Sequence, residues 1–442
     1  MTGTTAIDAD EARRLRDAMT DKIVKLGPAT SPQIEAAFRT VPRHAFARPG
    51  TRLEECYHGD IVRNKKDSDG VTLSSISAAW LQARMIAQAG IGPGARVLEI
   101  GTTGYNAAVI AEVAGPDGHV ITVDIDPEVS GWAAAALQAT GYGDRVTVVT
   151  GDGEHGAPGH GPFDAIIATA GAWDIPPAWL AQLAGSGALV VPLRLNGVTR
   201  SIGFRKNDGH LASTSAYTCG FVPMQGAGAR PETFYRVPSP GGGHITLRFE
   251  DGAPARPPLP GDILAGDPAE AWSGLTIADL TPWSDLYLWL AGFQPGFCRL
   301  DQAGDPQLAG GGPVMKTGWY PFAIARDGTL SYLTVRNLPD GSGVEFGALA
   351  YGHHADAAAT TLMGHLHAWD ARGRDLPEDA FMYWPDGTTP PLPDELLSIF
   401  RKRHGTATIT WPAQRTARTP AKGPGPPQPA PDSRASATSA GA

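Results

Sequence analysis

The chain has 442 residues, 42% of them hydrophobic, which is enough for roughly two or three domains with ordinary buried cores. Its formal net charge is −9, and so acidic a balance argues against a protein that follows nucleic-acid phosphates. No apolar run reaches the roughly eighteen residues of a membrane span, and the charged N-terminus lacks the apolar core of a secretory signal, so we expect a cytoplasmic protein that contacts no membrane.

The first half of the chain has the pattern of a parallel sheet preceded by helices. Helical periodicity predicts helices at 7–26, 31–39 and 77–88, with a polar, irregular stretch at 51–74. Strands and helices then alternate, with strands predicted at 96–100, 119–124, 146–150, 163–168 and 188–193 and helices at 107–114 and 129–140. This spacing predicts right-handed βαβ crossovers in an open, doubly wound, Rossmann-like α/β sheet.

The pattern changes after about residue 230, where prolines and glycines become frequent. One strand at 244–249 and one clear helix at 355–369 indicate a separate α+β domain. The end of the chain is rich in proline, alanine and serine, which is typical of a disordered tail. We therefore expect three regions: a cofactor-binding domain at 1–229 whose first 90 residues are mainly helical, an α+β domain at 230–411 that recognises the substrate, and a tail at 412–442.

Two features predict a ligand site at the carboxyl ends of the first two strands, where open α/β sheets bind ligands. Gly101, Thr102 and Gly104 form the turn after the first strand, and glycine there lets the backbone approach a ligand closely. Asp124 ends the second strand, where a carboxylate can accept hydrogen bonds from both ribose hydroxyls. A nucleoside-containing cofactor fits this pattern.

The acidic residues distinguish between nucleoside cofactors. Asp152 and Gly153 follow the third strand, where a side chain can meet an adenine edge. The glycine turn lacks the full G-x-G-x-x-G that binds a pyrophosphate, and the charge of Glu99 just before it would repel a phosphate. The same charge suits a sulfonium and an ammonium group, which favours S-adenosylmethionine over NAD.

Five motifs occur in one order along the first half of the chain: V-P-R-H-A-F at 41–46, S-I-S at 75–77, V-L-E-I-G at 97–101, G-D-G-E-H-G at 151–156 and F-D-A-I-I-A-T at 163–169. These segments resemble the protein-L-isoaspartate O-methyltransferase family. The resemblance implies that S-adenosylmethionine is held by Glu99, Gly101, Asp124, Asp152 and Gly153. It also implies that the hydroxyl of Ser77 positions the acceptor carboxylate; Ser77 could also cap the helix that follows it, in place of that role or together with it.

Several departures from that family point to a narrower group. The glycine turn is one residue shorter, Asn106 follows its tyrosine, Ala79 replaces a proline, and residues 57–72 differ. Together with the segment Cys219–Gly226 and the large second domain, they are similar to stand-alone methyltransferases encoded with class I lanthipeptides, the "FxLD" group. That resemblance implies esterification of an aspartate in a modified precursor peptide, followed by succinimide and isoaspartate. The alternatives are a repair enzyme for isoaspartate in damaged proteins and a non-catalytic scaffold.

The remaining residues suggest no other chemistry. Methyl transfer to a carboxylate needs no general base, because aspartate is ionised at neutral pH. We expect no metal, since the cysteines are scattered and His365 and His367 face different sides of a helix. The tryptophans of the second domain either line a groove for a peptide or form its core: Trp272, Trp283, Trp289 and Trp319.

Overall fold

The computed structural model of the protein describes residues 9–27, 31–240, 242–278, 283–303, 322–388, 390 and 396–414. Its helices are α1 (Ala9–Lys25), α2 (Pro32–Thr40), α3 (Leu53–Tyr57), α4 (Ala79–Ala89), α5 (Tyr105–Ala114), α6 (Pro127–Ala139), α7 (Pro177–Gln182), α8 (Asp285–Phe293) and α9 (Ala355–Asp370). Its strands are β1 (Val62–Lys66), β2 (Thr72–Ile76), β3 (Arg96–Ile100), β4 (His119–Asp124), β5 (Val146–Thr150), β6 (Phe163–Ala168), β7 (Leu183–Leu195), β8 (Val198–Asn207), β9 (His210–Thr218), β10 (Thr233–Pro238), β11 (His244–Phe249), β12 (Ala269–Ala278), β13 (Phe297–Ala303), β14 (Phe322–Arg326), β15 (Thr329–Asn337), β16 (Gly343–Gly352), β17 (Phe381–Pro385), β18 (Leu397–Arg401) and β19 (Gly405–Thr410).

The larger sheet has the strand order β18-β19-β17-β9-β8-β7-β6-β3-β4-β5. Strands β7, β6, β3, β4 and β5 are parallel, and β8, β9, β17, β19 and β18 extend the sheet by antiparallel pairing. The chain builds outward from β3 first through β4 and β5 and then, on the other side, through β6 and β7. The predicted doubly wound, Rossmann-like sheet is confirmed, and β3 lies at its switch point, where ligands bind.

Both faces of the parallel strands are covered, which is why their sequences read as short apolar runs. Successive residues point to opposite faces. Val97 joins an apolar cluster formed with the N-terminal helices and α5, whereas Leu98 joins a cluster that includes Trp289 and Phe346 of the second half of the chain. The two halves therefore share one continuous core on that face of the sheet.

The smaller sheet is antiparallel, with the order β10-β11-β13-β14-β15-β16-β12, and α9 packs against β12 and β16. It contains the strand predicted at 244–249 and is followed by the helix predicted at 355–369. The chain then returns to the larger sheet, because β17 pairs with β9 and β19. The domain boundaries at 229 and 411 remain predictions. The larger sheet contains strands from both sides of the first of these boundaries.

The stretch expected to be irregular contains an antiparallel hairpin of β1 and β2, so that expectation was wrong. Within the two strands of the hairpin, only the paired Val62 and Ile76 are fully buried apolar residues, which is too few for a visible alternating pattern. Lys65 ties the hairpin to the first turn of α6, with its Nζ 2.6 Å from Asp126 Oδ2 and 2.8 Å from Glu128 Oε2.

Two further predictions concern, at least in part, residues that the structure does not describe. The tail from residue 415 onward and Trp319 lie outside the described residues. Trp283 and Trp289 are core residues, 7% and 3% exposed, while Trp272 is half-buried with the guanidinium carbon of Arg336 4.2 Å from its ring centroid. No helix in the described part of the chain is long and apolar enough to cross a membrane.

Candidate active site

A cleft opens at the carboxyl ends of β3 and β4 and encloses about 730 Å³, its open mouth included. Most of the residues singled out from the sequence line this cleft: Ser77, Glu99, Gly101, Thr102, Asp124 and Gly153. Gly104 and Asp152 are not among its lining residues.

The turn after β3 depends on glycine at two positions for two different reasons. Gly101 has a φ of 85°, and a Cβ there would lie 2.9 Å from Thr169 Oγ1 in the wall of the cleft. Gly104 has a φ of 83°, and its Cβ would lie 2.9 Å from the ring of Phe46. Gly101 thus keeps the cleft wall close, while Gly104 serves the packing of α5 behind it.

Glu99 is a buried carboxylate at the floor of the cleft, only 1% exposed. Its Oε1 accepts a hydrogen bond of 2.8 Å from Asn106 Nδ2, and its Oε2 accepts one of 2.6 Å from Thr122 Oγ1. Thr122 is its direct neighbour on β4 in the parallel register. Burial raises the pKa of Glu99 to about 7, and the two hydrogen bonds oppose that rise.

Asp124 ends β4 at the rim of the cleft. Its Oδ2 accepts a hydrogen bond of 2.9 Å from the backbone N–H of Thr102, and its Oδ1 accepts one of 2.9 Å from the N–H of Asp126. Partial burial raises the pKa of Asp124. Each oxygen still has lone-pair capacity for a ligand hydroxyl, because a carboxylate offers about four acceptor sites.

The turn after β5 places Asp152 and Gly153 differently. The side chain of Asp152 turns back on the protein: Oδ1 accepts from the N–H of Glu154 at 3.0 Å, and Oδ2 accepts from the N–H of Ala227 at 2.8 Å. Gly153 lines the cleft, and a Cβ there would lie 2.6 Å from Ile100 Cγ2. Asp152 therefore holds the segment around Ala227 against the turn, while Gly153 leaves room for the cleft.

Ser77 lies between β2 and α4 and lines the cleft. The N-cap of α4 is Ala78, which makes no side-chain cap bond, so Ser77 does not cap this helix. Within the described residues, the hydroxyl of Ser77 makes no hydrogen bond and is available to a ligand. The carbonyl of Ser77 accepts a hydrogen bond of 3.0 Å from Nη2 of Arg43, which fixes the backbone at this point.

One wall of the cleft, formed by residues 222–225, was not predicted as part of the site. It is held by backbone hydrogen bonds to the segment after β6: Gly171 N donates to Val222 O at 2.8 Å, and Met224 N donates to Gly171 O at 3.1 Å. The sequence marked this segment only through the resemblance of Cys219–Gly226 to a family segment. Its contact with β6 is non-local and has no periodic signal.

The donor set of the cleft fits S-adenosylmethionine. Two carboxylates, those of Glu99 and Asp124, line it, and its described lining includes no lysine, arginine or histidine. Asn106 also lines the cleft, and its Oδ1 is a buried acceptor with no partner among the described residues. An ammonium donor would satisfy that atom, whereas a phosphate would be repelled by both carboxylates.

The histidines of the second half form no metal centre with other described residues. His365 is half-buried and is hydrogen-bonded to two neighbours instead: Trp289 Nε1 donates to its Nδ1 at 3.1 Å, and its Nε2 is hydrogen-bonded to the side-chain amide of Gln294. The described residues include no group of three or more histidine, cysteine, aspartate or glutamate side chains that could bind a metal ion.

Comparisons with known proteins agree with the motifs. A family model for protein-L-isoaspartate(D-aspartate) O-methyltransferase (PCMT) matches residues 14–229. The protein-L-isoaspartate O-methyltransferase of Methanopyrus kandleri is 35% identical over 216 residues, which are 48% of this chain and 92% of the relative. That of Hyperthermus butylicus is 35% identical over 228 residues, which are 50% of this chain and 92% of the relative. A solved structure of a protein-L-isoaspartate O-methyltransferase aligns over 83% of this chain and 95% of its own, with 22% identity and a TM-score of 0.47.

The relatives are thus matched over nearly their whole length by the first half of this chain, which also contains the cleft. The chain belongs to the protein-L-isoaspartate O-methyltransferase family, whose members are S-adenosylmethionine-dependent enzymes that methylate aspartyl carboxyl groups of proteins.

Proposed function

We propose that this protein methylates the free carboxylate of isoaspartyl residues in peptide chains. The observation that carries the proposal is the cleft itself: two carboxylates suited to a cationic cofactor lie at the end of β3 and β4, and the unengaged hydroxyl of Ser77 opens into the same space. The curated relatives that the chain spans almost completely carry the same activity in their names, which supports isoaspartate as the acceptor.

The chemistry requires little from the protein beyond positioning. S-adenosylmethionine supplies, when bound, a methyl group on a cationic sulfur that a carboxylate oxygen can attack in line. In our proposal Asp124 holds the ribose hydroxyls, and Glu99 with Asn106 holds the ammonium group. Ser77 donates a hydrogen bond to one acceptor oxygen while the other oxygen faces the methyl group. Orientation of this kind can account for about 7–11 kcal/mol of a barrier.

No proton transfer is needed, because the acceptor carboxylate is already ionised at neutral pH. This agrees with a cleft whose described lining has no histidine, lysine or cysteine to act as a general base. The methyl ester that forms can then be attacked by the backbone amide nitrogen of the peptide itself. Methanol leaves, and a succinimide results.

A second candidate is esterification of an ordinary aspartate in a ribosomally made, modified peptide of the lanthipeptide type. Two observations favour it. The relatives from Methanopyrus kandleri and Hyperthermus butylicus are matched over 92% of their own length by about half of this chain, so these two have no counterpart to its second half, whose strands extend the larger sheet and share its core. In addition, residues 57–72, which depart from the family pattern, form part of the β1–β2 hairpin, and β2 contributes Ser74 and Ser75 to the cleft.

One experiment separates the two acceptors. The full chain is incubated with S-adenosylmethionine and one of three peptides: a linear isoaspartyl peptide, its linear aspartyl isomer, or a macrocyclic peptide that contains aspartate. Mass spectrometry then follows the gain of a methyl group and the later loss of methanol. The proposal predicts methylation of the linear isoaspartyl peptide and none of its aspartyl isomer.

Methylation of the macrocyclic aspartyl peptide alone would reverse the order of the two candidates. Cofactor binding without methylation of either peptide would indicate a scaffold rather than an enzyme. Ser77→Ala serves as the site variant, with Ser342→Ala as its control, because Ser342 is an exposed serine in the β15–β16 turn. We expect Ser77→Ala alone to lower kcat/KM for the peptide.

A further inference from the structure

Arg43 is a completely buried guanidinium beside the cleft. Its Nε donates to Cys56 O at 2.8 Å, and its Nη2 donates to Asp60 O at 2.7 Å and to Ser77 O at 3.0 Å. Burial lowers the pKa of Arg43, although an arginine keeps its proton in proteins. No carboxylate in the described chain forms an ion pair with it. A buried cation paired only with neutral acceptors makes its surroundings electropositive.

The remaining bond of this guanidinium fixes the side chain of Gln82. Nη1 of Arg43 donates to Gln82 Oε1 at 3.1 Å. An arginine offers only donors, so the oxygen of the amide must face it, and the opposite assignment would set two donors against each other. The orientation of the Gln82 amide is therefore determined by chemistry.

The other end of the amide, Nε2, has no hydrogen-bond acceptor among the described residues. Gln82 is 4% exposed, and it lines the cleft. A donor held in this way, at the wall of a ligand cleft, is suited to an acceptor that arrives with the ligand.

Ser77 and Gln82 are held by the same guanidinium, one through its carbonyl and the other through its amide oxygen. Both face the cleft at the N-terminal end of α4, where the helix dipole is positive. The acidic residues Glu99 and Asp124 line the cleft from β3 and β4 instead. The charges thus divide the cleft into an acidic part for a cation and an electropositive part for a carboxylate.

We infer that Gln82 is a carboxylate-binding residue of the acceptor subsite, with its amide oriented by Arg43. The inference rests on the proposed function. The amide N–H and the Ser77 hydroxyl donate to the acceptor carboxylate, and a lone pair of its free oxygen forms the new C–O bond as the methyl–sulfur bond breaks. The electrons of that bond stay on sulfur, which becomes neutral, and no proton moves.

The main test replaces Gln82 by glutamate. Gln82→Glu keeps an oxygen that accepts a hydrogen bond from Arg43. In place of the amide N–H, it presents a carboxylate oxygen to the carboxylate of the substrate, which it cannot hydrogen-bond and repels. Gln82→Met removes both hydrogen bonds at nearly constant volume and serves as a second variant. Gln138→Glu makes the same chemical change on the exposed face of α6 and is the matched control.

A hydrogen bond to a charged group contributes about 1.5–3 kcal/mol, so we expect kcat/KM for the isoaspartyl peptide to fall about 10- to 150-fold in both Gln82 variants. The affinity for S-adenosylmethionine, measured by calorimetry, should stay within about two-fold of the wild type. A purely structural role for Gln82 would instead weaken S-adenosylmethionine binding together with kcat/KM, because the shared wall of the cleft would be disturbed.

Wild-type kcat/KM in both Gln82 variants would overturn the inference. Weaker binding of S-adenosylmethionine with an unchanged KM for the peptide would also overturn it, because the amide would then hold the carboxylate of the cofactor. A different result would show that the proposed function itself is wrong: the wild-type chain would then transfer no methyl group to the isoaspartyl peptide.

Discussion

Replacement of Glu99 by glutamine tests the electrostatics at the acidic part of the cleft. The pKa of the buried Glu99 is raised from 4.5 to about 7 by loss of hydration. At 1.36 kcal/mol for each factor of ten, that rise corresponds to about 3 kcal/mol. Because the pKa is higher in the folded state, the contribution of this group to the free energy of unfolding is fully present below pH 4.5 and is lost as the pH rises through about 7.

Glutamine has no charge to desolvate, and it fits the local hydrogen bonds. Its amide nitrogen can donate to Oδ1 of Asn106, which has no described partner, once the Asn106 amide turns over. Its oxygen can accept from Thr122 as Glu99 does. Relative to the wild type, we therefore expect Glu99→Gln to gain up to about 3 kcal/mol in the free energy of unfolding between about pH 5 and about pH 9.

The assay is urea unfolding of both proteins without cofactor across that pH range, with the wild-type value subtracted at each pH. The subtraction removes the pH dependence of the other ionisable groups, which the two proteins share. Glu378→Gln changes an exposed carboxylate and should give a nearly flat difference. A flat difference for Glu99→Gln, or one that shrinks as the pH rises, would refute the reasoning.

The remaining predictions concern the same site and its support. Asp124→Asn should weaken S-adenosylmethionine binding about 10- to 150-fold by calorimetry, because a charged acceptor is lost; binding within two-fold of the wild type would contradict the assigned role. Gly101→Ala should destabilise the protein by about 1–3 kcal/mol in urea, since its φ is 85° and its Cβ would lie 2.9 Å from Thr169 Oγ1. Gly92→Ala, whose Cβ would meet nothing within 4 Å, is the matched control, and equal losses would contradict the steric argument. A chain that ends at residue 229 should aggregate in size-exclusion chromatography, because it lacks β17–β19 and exposes the shared core; a monodisperse, folded fragment would show that the halves are independent.

The parts of the fold that were predictable are those whose signal is local. Strands β3 to β6 were predicted with the bounds they have, because each is a short, mainly apolar run; β3, β4 and β6 are largely buried, whereas the edge strand β5 is only partly buried. The return of β17–β19 to the larger sheet was not predictable, because the pairing of Met382 with Ala212 joins residues far apart in the chain. Composition marks the proline- and glycine-rich connection but carries no information on which sheet a later strand joins.

The residues of the site were likewise predictable only where their signal in the sequence is local. Glu99 and Asp124 were identified because strand ends at the switch point must face a ligand cleft. Asp152 was expected there too, but its carboxylate accepts two backbone N–H bonds and turns away, and only the loop conformation determines that. Gln82 was missed because a polar residue on an amphipathic helix has the pattern of a surface position, and its burial depends on Arg43.

The second half of the chain also contributes to the site, through the turn between β18 and β19. Within it, Arg403 Nη1 donates to Ala227 O at 2.7 Å, and the N–H of Ala227 donates to Asp152. The N–H of His404 donates to Asp174 Oδ2 at 2.7 Å, in the segment that follows β6. These bonds connect the far end of the chain to the two segments that wall the cleft. Cofactor affinity in this protein should therefore depend on residues for which its short relatives have no equivalent, and the extra half supports the site in addition to extending the sheet.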